Sequence, residues 1–285
     1  MTDENQPDLL RAPADKRLGQ HFLFDPDILK RVALAAGPVE GRDVIEIGPG
    51  PGGLTRAILQ NGARKLLCLE MDDRFAGALK TWPDAATKRL QVLQTDATTV
   101  ELNDLISEFE IEPPLMIIAN LPYNVGTPLL IGWLMQMEHI SDMALMFQKE
   151  VAQRVCAQPG TQHYGRLAVL SHAVASSRMA FTLPPGAFKP PPKVASAVVS
   201  LKRLPPEKAY QNLSALQKVT GAAFGQRRKM LRASLKTIMP DGASAETLLE
   251  GTGIDPTRRA ETLTQDEFRR LTDHWARLHS SSSKS

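Results

Sequence analysis

Residues 43–70 read DVIEIGPGPGGLTRAILQNGARKLLCLE, and this stretch decides the fold class. The apolar run Asp43–Ile47 predicts a strand, the glycine-rich turn after it leads into a helix, and Lys65–Glu70 predicts a second strand. Further apolar runs begin roughly 25 residues apart, as expected when strands alternate with helices in a parallel sheet. They show no polar alternation, which indicates strands covered on both faces. These runs are Leu90–Asp96, Leu115–Asn120 and Met143–Gln148.

The composition is typical of an ordinary globular protein. The chain has 285 residues, of which 42% are hydrophobic and 23% charged. Its two cysteines, Cys68 and Cys156, have neither metal-ligand nor disulfide-framework spacing. The longest apolar run is shorter than the roughly 18 residues that indicate a membrane span. We therefore predict a cytoplasmic protein without a membrane anchor or a metal site.

Charge divides the sequence into two unlike halves. Residues 1–150 carry 14 basic and 22 acidic side chains, whereas residues 151–285 carry 20 and 9. The net charges are thus −8 and +11. A basic half joined to an acidic half indicates a polyanionic partner, and we favour nucleic acid over a merely solvated surface.

The glycine-rich turn is compatible with two kinds of cofactor. Gly48, Gly50 and Gly53 match the G-x-G-x-x-G pattern of dinucleotide-binding folds. Gly48, Gly50 and Gly52 match the G-x-G-x-G pattern of methyltransferases. Glu70 ends the next strand, where a carboxylate would accept hydrogen bonds from the ribose hydroxyls of either cofactor. The turn alone leaves both open.

Polar residues also end the third and fourth predicted strands. These residues are Asp96 and Asn120. The carboxyl ends of parallel strands share one edge of a sheet, and ligands bind there in open α/β folds. We therefore expect Gly48, Glu70, Asp96 and Asn120 to converge on one cleft.

The segment Asn120-Leu121-Pro122-Tyr123 follows the fourth strand. It resembles the [D/N/S]-P-P-[Y/F/W] segment of amino-group methyltransferases, in the N-L-P-Y form of ribosomal RNA adenine dimethyltransferases. Three more segments extend the resemblance to this family over most of the chain, and its small-subunit members match best. Ala195 departs from the family pattern, where many members have Asp. The three segments are GQHFL at 19–23, FKPPPKVASAV at 188–198 and FGQRRK at 224–229.

The resemblance implies a fold and a reaction that spacing alone does not reveal. The fold is an α/β, Rossmann-like class I methyltransferase sheet with helices on both faces, plus a small α-helical C-terminal domain. The reaction is methyl transfer from S-adenosyl-L-methionine to N6 of two adjacent adenosines, in a hairpin loop near the 3′ end of 16S rRNA. The implied partner is 16S rRNA within the 30S subunit or a pre-30S particle, and the protein would be monomeric off the ribosome.

The expected organisation has a flexible tail at 1–15, a methyltransferase domain at 16–204, a helical RNA-binding domain at 205–279 and a flexible tail at 280–285. Within the helical domain, the periodicity predicts one helix over 216–238 with a cationic ridge beside an apolar stripe. Thr264 and Glu267 form the capping box of a last helix.

The resemblance also assigns roles to single residues. Asn120 and the Leu121 carbonyl would accept the two N–H bonds of the adenine amine, Pro122 would stiffen the turn, and Tyr123 and Phe188 would stack on the adenine. The expected cofactor contacts are His21, Leu23, Gly48, Gly50, Gly52, Glu70, Met71, Asp96, Ala97 and Asn120. The expected RNA contacts are Arg228, Lys229, Arg232, Lys236, Lys189 and Lys193.

Four alternatives stay open at this point. A large-subunit rRNA adenine dimethyltransferase of the macrolide-resistance type shares the four-residue segment. A DNA adenine methyltransferase more often has Asp first in that segment. A dehydrogenase would explain the glycine turn but leaves Asn120–Tyr123 and the basic half without a role. A ribosome-assembly factor that acts mainly by binding is compatible with catalysis.

Overall fold

The computed structural model describes residues 20–226, 228–240 and 242–282. The strands in these ranges are β1 (Phe22–Leu23), β2 (Asp43–Ile47), β3 (Lys65–Glu70), β4 (Leu90–Gln94), β5 (Leu115–Asn120), β6 (Ile140–Gln148), β7 (Ala175–Leu183), β8 (Phe188–Lys189) and β9 (Ser196–Arg203). The α-helices are α1 (Pro26–Ala33), α2 (Gly53–Gln60), α3 (Asp73–Leu79), α4 (Pro83–Ala86), α5 (Leu102–Phe109), α6 (Gly126–Leu134), α7 (Lys149–Cys156), α8 (Arg166–Val174), α9 (Leu213–Gly225), α10 (Leu231–Ser234), α11 (Ala245–Glu250) and α12 (Gln265–Ser282).

Seven strands form one sheet in the order β4-β3-β2-β5-β6-β9-β7. The pairs β2–β3, β2–β5, β3–β4 and β5–β6 are parallel, whereas β9 pairs with β6 antiparallel. The predicted fold class is thus confirmed. β2, β3 and β5 have the predicted bounds, while β4 ends two residues earlier than predicted and β6 begins three residues earlier.

The central strands of the sheet are buried. Every residue of β2 is buried, and so is every residue of β5 except its last. A parallel strand covered by helices on both faces reads as a continuous apolar run, which explains why these strands were recognisable. Asn120, the last residue of β5, is partly exposed at the carboxyl edge of the sheet.

A second, two-stranded sheet joins distant parts of the chain. β1 pairs antiparallel with β8, with Phe22 opposite Lys189 and Leu23 opposite Phe188. The segment that precedes α1 is thereby fixed to the proline-rich loop at 184–195, which contains β8 and precedes β9. Because the strands are only two residues long, this pairing leaves no periodic signal in the sequence.

The chain divides into two compact units. The first comprises the described residues up to Ala152 together with Arg178–Arg203, and the second comprises Gln153–Ser177 together with the described residues from Leu204 onward. The break after Arg203 is close to the domain boundary expected after residue 204. In contrast, Gln153–Ser177 was expected in the methyltransferase domain but clusters with the C-terminal helices, because α8 packs against α9 and α12.

The helix predicted over 216–238 is wrong as a continuous element. α9 ends at Gly225, a turn follows, and α10 with the 3₁₀ turn Leu235–Ile238 begins a new helical segment. The amides of Leu231 and Arg232 donate to the carbonyls of Arg258 and Pro256, at 2.8 and 3.2 Å. These tertiary bonds satisfy the N–H groups that a continuous helix would have paired internally.

The predicted capping box of α12 is confirmed. The amide of Thr264 donates to Glu267 Oε2 at 2.7 Å, and the amide of Glu267 donates to Thr264 Oγ1 at 3.2 Å. Phe268, Leu271 and Trp275 of this helix are buried, as its periodicity predicts.

Some expectations fall outside the described residues. These are the tail at 1–15, residues 16–18 of the expected methyltransferase domain, Gly19 of the matching N-terminal segment, and residues 283–285 of the second tail. Residues 280–282, which were expected in that flexible tail, instead continue α12. Across the described ranges, no helix is both long and apolar enough to span a bilayer. The same ranges contain no cluster of His, Cys, Asp or Glu suited to a metal ion.

Candidate active site at the carboxyl edge of the sheet

A cleft opens where β2, β3, β4 and β5 end. Most of the residues predicted to form the site line it. Gln20, Thr95, Asn124, Val125 and Leu129 also line it, although the sequence patterns assigned a role to none of them. The predicted residues in the lining are His21, Gly48, Gly50, Glu70, Met71, Asp96, Ala97, Asn120, Leu121, Pro122 and Tyr123.

The glycine turn after β2 holds the carboxylate that ends β3. Gly48 and Gly50 have φ values of +64° and +52°, a region that side chains disfavour. The amide of Gly50 donates to Glu70 Oε2 at 2.9 Å, and the amide of Asp72 donates to Oε1 at 2.8 Å. Burial raises the pKa of Glu70, although these two bonds oppose the shift. The carboxylate is therefore fixed in place beneath the turn.

The acidic residue that follows β4 is oriented in a similar way. Asp96 Oδ1 accepts hydrogen bonds from the amide and the hydroxyl of Thr98, at 2.8 and 2.7 Å. Asp96 itself is exposed to solvent in the cleft. Glu70 and Asp96 thus provide two carboxylates at neighbouring strand ends.

The Asn120 side chain has one defined orientation. Its Nδ2 donates to the backbone carbonyl of His21 at 2.8 Å. The carbonyl can only accept, so the amide nitrogen must face His21 and the amide oxygen must face away. His21 is itself held, because its ring Nδ1 lies 2.8 Å from the carbonyl oxygen of Pro190. The N-terminal segment and the proline-rich loop together orient Asn120.

The hydrogen bonds that close the turn after β5 do not use the backbone carbonyl of Leu121. The amides of Val125 and Gly126 both donate to the carbonyl of Pro122, at 3.2 Å. The turn therefore closes without using the carbonyl of Leu121. The Leu121 side chain is buried, which anchors this part of the turn in the core.

Three predicted site residues do not line the cleft. Leu23 is buried among core residues. Gly52 caps α2 at φ +83°, and a Cβ there would come within 2.7 Å of the Trp82 ring. Phe188 is only 2% exposed, because its pairing with Leu23 in the two-stranded sheet places its ring in the core. As it lies in this structure, the Phe188 ring has no free face for a base.

Comparison with known proteins identifies the family. The model of the ribosomal RNA adenine dimethylase family matches residues 12–277. The chain belongs to the ribosomal RNA adenine dimethylase family.

Individual relatives agree with the family match. Ribosomal RNA small subunit methyltransferase A of Agrobacterium fabrum is 51% identical over 90% of this chain and 90% of its own length. The protein of the same name from Gluconobacter oxydans is 50% identical over 91% of this chain and 82% of its own length.

Solved structures share the fold. A dimethyladenosine transferase from Plasmodium falciparum superimposes with a TM-score of 0.74, at 24% identity, over 91% of this chain and 98% of that one. The 23S rRNA methyltransferase ErmE gives a TM-score of 0.64 at 23% identity, over 90% and 99%. At such identities the likeness shows the fold alone.

All six basic residues expected to contact RNA in this dimethylase are exposed. Arg228 and Lys229 lie in the turn after α9, Arg232 lies on α10, and Lys236 lies on the 3₁₀ turn that follows. These four residues lie on three short segments, so they do not form the single-helix ridge that the periodicity predicted. The other two, Lys189 and Lys193, lie in the proline-rich loop of the first unit.

Glu46, in β2, is a buried acid of this dimethylase that sequence reasoning did not single out. Thr55 Oγ1 donates to its Oε2 at 2.7 Å, whereas its Oε1 has no partner among the described residues. Burial raises the pKa of Glu46 to about 8 from an ordinary 4.5. Below about pH 8, the Glu46 side chain in the folded protein is therefore mainly the neutral carboxylic acid.

We expect Glu46 to make the stability of the dimethylase depend on pH. A carboxyl pKa raised by folding stabilises the fold below the ordinary pKa, and this stability is lost as the pH rises towards 8. Relative to Glu46→Gln, the native free energy of unfolding should fall by on the order of 4 kcal/mol between about pH 5 and 9. Denaturant unfolding of both proteins measures the difference. Glu40→Gln, at an exposed site, is the control, and parallel pH profiles for Glu46→Gln and the native protein would contradict the expectation.

Proposed function

We propose that the chain transfers methyl groups from S-adenosylmethionine to N6 of two adjacent adenosines near the 3′ end of small-subunit rRNA. The observation that carries the proposal is the orientation of Asn120, whose amide nitrogen is bound by His21 and whose oxygen faces away as an acceptor. An exocyclic amine that is to attack a methyl group needs a hydrogen-bond acceptor of this kind beside its N–H groups. The names of the relatives support the small-subunit RNA as substrate.

The residues of the cleft suit S-adenosylmethionine. A Cβ on Gly48 would meet nothing within 4 Å, so a ligand has room to approach the backbone there. We assign the ribose hydroxyls to Glu70 and the adenine end to Met71, Asp96 and Ala97. Met71 is half exposed, which leaves its apolar side chain accessible for contact with a planar ligand. The ligand supplies an electrophilic methyl group on a positively charged sulfur.

Asn120 and Leu121 act on the RNA base in this proposal. The exocyclic amine of adenine is a weak nucleophile because its lone pair is delocalised into the ring. Hydrogen bonds from its two N–H groups to Asn120 Oδ1 and the Leu121 carbonyl concentrate electron density on nitrogen. The nitrogen bonds to the methyl carbon as the bond from that carbon to sulfur breaks, and the positively charged methylated nitrogen then loses its proton to water. The chain therefore contributes position and electrostatics, and it needs no strong base. A once-methylated amine keeps one N–H, which a neutral amide still accepts.

Tyr123 and Pro122 complete the base site. Pro122 restricts the backbone of the turn, and the Tyr123 ring provides a half-buried face on which an extruded purine stacks. The second stacking face assigned to Phe188 stays a prediction, since its ring is in the core and a base would have to displace neighbouring groups.

We expect Glu70→Ala to weaken S-adenosylmethionine binding by about ten- to one-hundred-fold, the cost of losing hydrogen bonds to a charged group. Titration calorimetry with S-adenosylmethionine measures the effect. Asp73→Ala removes an exposed carboxylate three residues away and should bind normally. Equal affinities for Glu70→Ala and the native protein would show that the ribose assignment is wrong.

We assign RNA binding to the exposed basic residues. The second unit presents Arg228, Lys229, Arg232 and Lys236 to solvent, and the first presents Lys189 and Lys193. We propose that they contact phosphates of 16S rRNA within the 30S subunit or a pre-30S particle. We further propose that the protein is cytoplasmic and monomeric when it is away from the ribosome.

One incubation tests the function as a whole. The protein is mixed with methyl-labelled S-adenosylmethionine and unmodified small ribosomal subunits, and the labelled nucleosides are mapped. Label should accumulate as N6,N6-dimethyladenosine at two adjacent positions of the small-subunit RNA. Label in large-subunit RNA would instead favour the macrolide-resistance type of enzyme, and RNA binding without label would favour an assembly factor.

A further inference from the structure

The hydroxyl of Tyr123 is bonded to a rigid part of the main sheet. Tyr123 Oη lies 2.8 Å from Ser196 Oγ. Ser196 is the first residue of β9, is fully buried, and lies opposite Gln148 in the antiparallel β6–β9 ladder. The neighbouring carbonyl of Ala195 accepts from the amide of Lys149 at 2.9 Å. The backbone of Ser196 is thus held while Tyr123 lies in a turn.

We propose that Ser196 is a positioning residue for methyl transfer, acting through the Tyr123 hydroxyl to fix the direction of the ring that stacks on the target base. This inference rests on the proposed function, because it takes Tyr123 as the stacking residue. It adds a role for a buried serine that has no access to the cleft of its own.

Two contacts are needed to fix the orientation of the Tyr123 ring. The hydroxyl lies on the axis about which the ring rotates, so the bond to Ser196 fixes where the axis points but not the rotation. The His21 ring lies 5.6 Å from the Tyr123 ring, centroid to centroid, with 33° between the planes. His21 therefore limits the rotation that Ser196 leaves free. Together the two contacts define one ring plane.

A purely structural role for Ser196 makes a different prediction. A buried hydroxyl needs a hydrogen-bond partner, and losing that partner costs stability wherever it occurs. In that case Ser196 variants would unfold more easily but would methylate RNA normally once folded. A positioning role instead lowers the rate of the folded enzyme. Burial raises the pKa of the Tyr123 phenol, so the hydroxyl stays protonated and the effect should not vary with pH around neutrality.

A double-mutant cycle separates these roles. Ser196→Ala, Tyr123→Phe and the double variant are compared in single-turnover methylation of unmodified small subunits at saturating S-adenosylmethionine. Each single variant should be slower by about ten-fold, the equivalent of one lost hydrogen bond. The double variant should be no slower than either, because all three lack the same bond. Ser196→Thr keeps a hydroxyl and should recover most of the rate, and S-adenosylmethionine affinity should not change.

Ser200→Ala is the matched control, since Ser200 is also buried on β9 and lies four residues farther along. It should keep the native rate. Independent losses that multiply in the double variant, an equal loss in Ser200→Ala, or no recovery with Ser196→Thr would overturn the inference. If Ser196→Ala does not fold, an unimpaired Tyr123→Phe variant overturns it as well. Failure of the proposed function is a separate outcome, in which the native protein itself does not label small-subunit RNA.

Discussion

Replacing Asn120 with alanine should lower the rate of methyl transfer by about two to three orders of magnitude. This is the typical effect of removing one pre-oriented hydrogen-bonding group from a catalytic centre. The amide oxygen is the acceptor that we assign to the adenine amine, and its direction is fixed by the bond from Nδ2 to the carbonyl of His21. RNA affinity should remain close to native, because the assigned phosphate contacts are elsewhere.

Asn120→Asp tests the orientation as well as the residue type. An ionised aspartate would place a carboxylate oxygen where Nδ2 now lies 2.8 Å from the His21 carbonyl, and two acceptors repel. We expect this variant to be nearly inactive at neutral pH. As the pH falls, the aspartate at position 120 becomes protonated. Its O–H can then donate to the His21 carbonyl, and its other oxygen remains free to accept from the adenine amine. The residual rate of Asn120→Asp should therefore rise towards acidic pH.

Single-turnover methylation and filter binding on unmodified small subunits measure both effects. Asn124→Ala is the control, since Asn124 lines the same cleft in the same turn but has no assigned role. An Asn120→Ala enzyme within ten-fold of native would remove Asn120 from catalysis. A fully active, pH-independent Asn120→Asp enzyme would instead show that the amide orientation does not matter.

The strand ends of the site could be predicted because local pattern and topology agree. β2, β3 and β5 are buried on both faces and read as continuous apolar runs, so their ends were correctly located. In a parallel sheet the carboxyl ends share one edge, which brought Glu70, Asp96 and Asn120 together without any knowledge of tertiary contacts.

The contacts that orient these residues could not be predicted in the same way. Asn120 and His21 are 99 residues apart, and Tyr123 and Ser196 are 73 apart, so no periodicity links them. The burial of Phe188 likewise depends on a pairing with Leu23 that spans most of the first unit. Motifs therefore located these residues in the sequence, whereas only the folded chain shows which of them face the cleft.

The break after Gly225 has a different cause. Apolar residues continue at helical spacing through the predicted helix, and Leu231 and Leu235 are indeed buried. Yet the amide of Leu231 pairs with the carbonyl of Arg258 instead of one in its own helix. Tertiary hydrogen bonding overrides the local pattern here, and it changes where the basic side chains lie.

Reversing three of these charges should have the second large effect. The variant Arg228→Glu, Arg232→Glu and Lys236→Glu converts three exposed cations of the second unit into anions. If each cation neutralises one phosphate, the negative slope of log K against log salt concentration should become shallower by about two to three units. Affinity for small-subunit RNA should then fall by several orders of magnitude at low salt and by much less at high salt.

The salt dependence distinguishes a local interface from a change in overall charge. A control variant with Lys30→Glu, Lys80→Glu and Lys88→Glu has the same net charge, but its exposed lysines lie on the first unit. It should weaken binding slightly through long-range repulsion, with a slope near the native value, because no phosphate contact is lost. Salt-series filter binding measures both variants. Equal slopes for the two triple variants would mean that the basic residues of the second unit act only through net charge, and that the RNA is held at another surface.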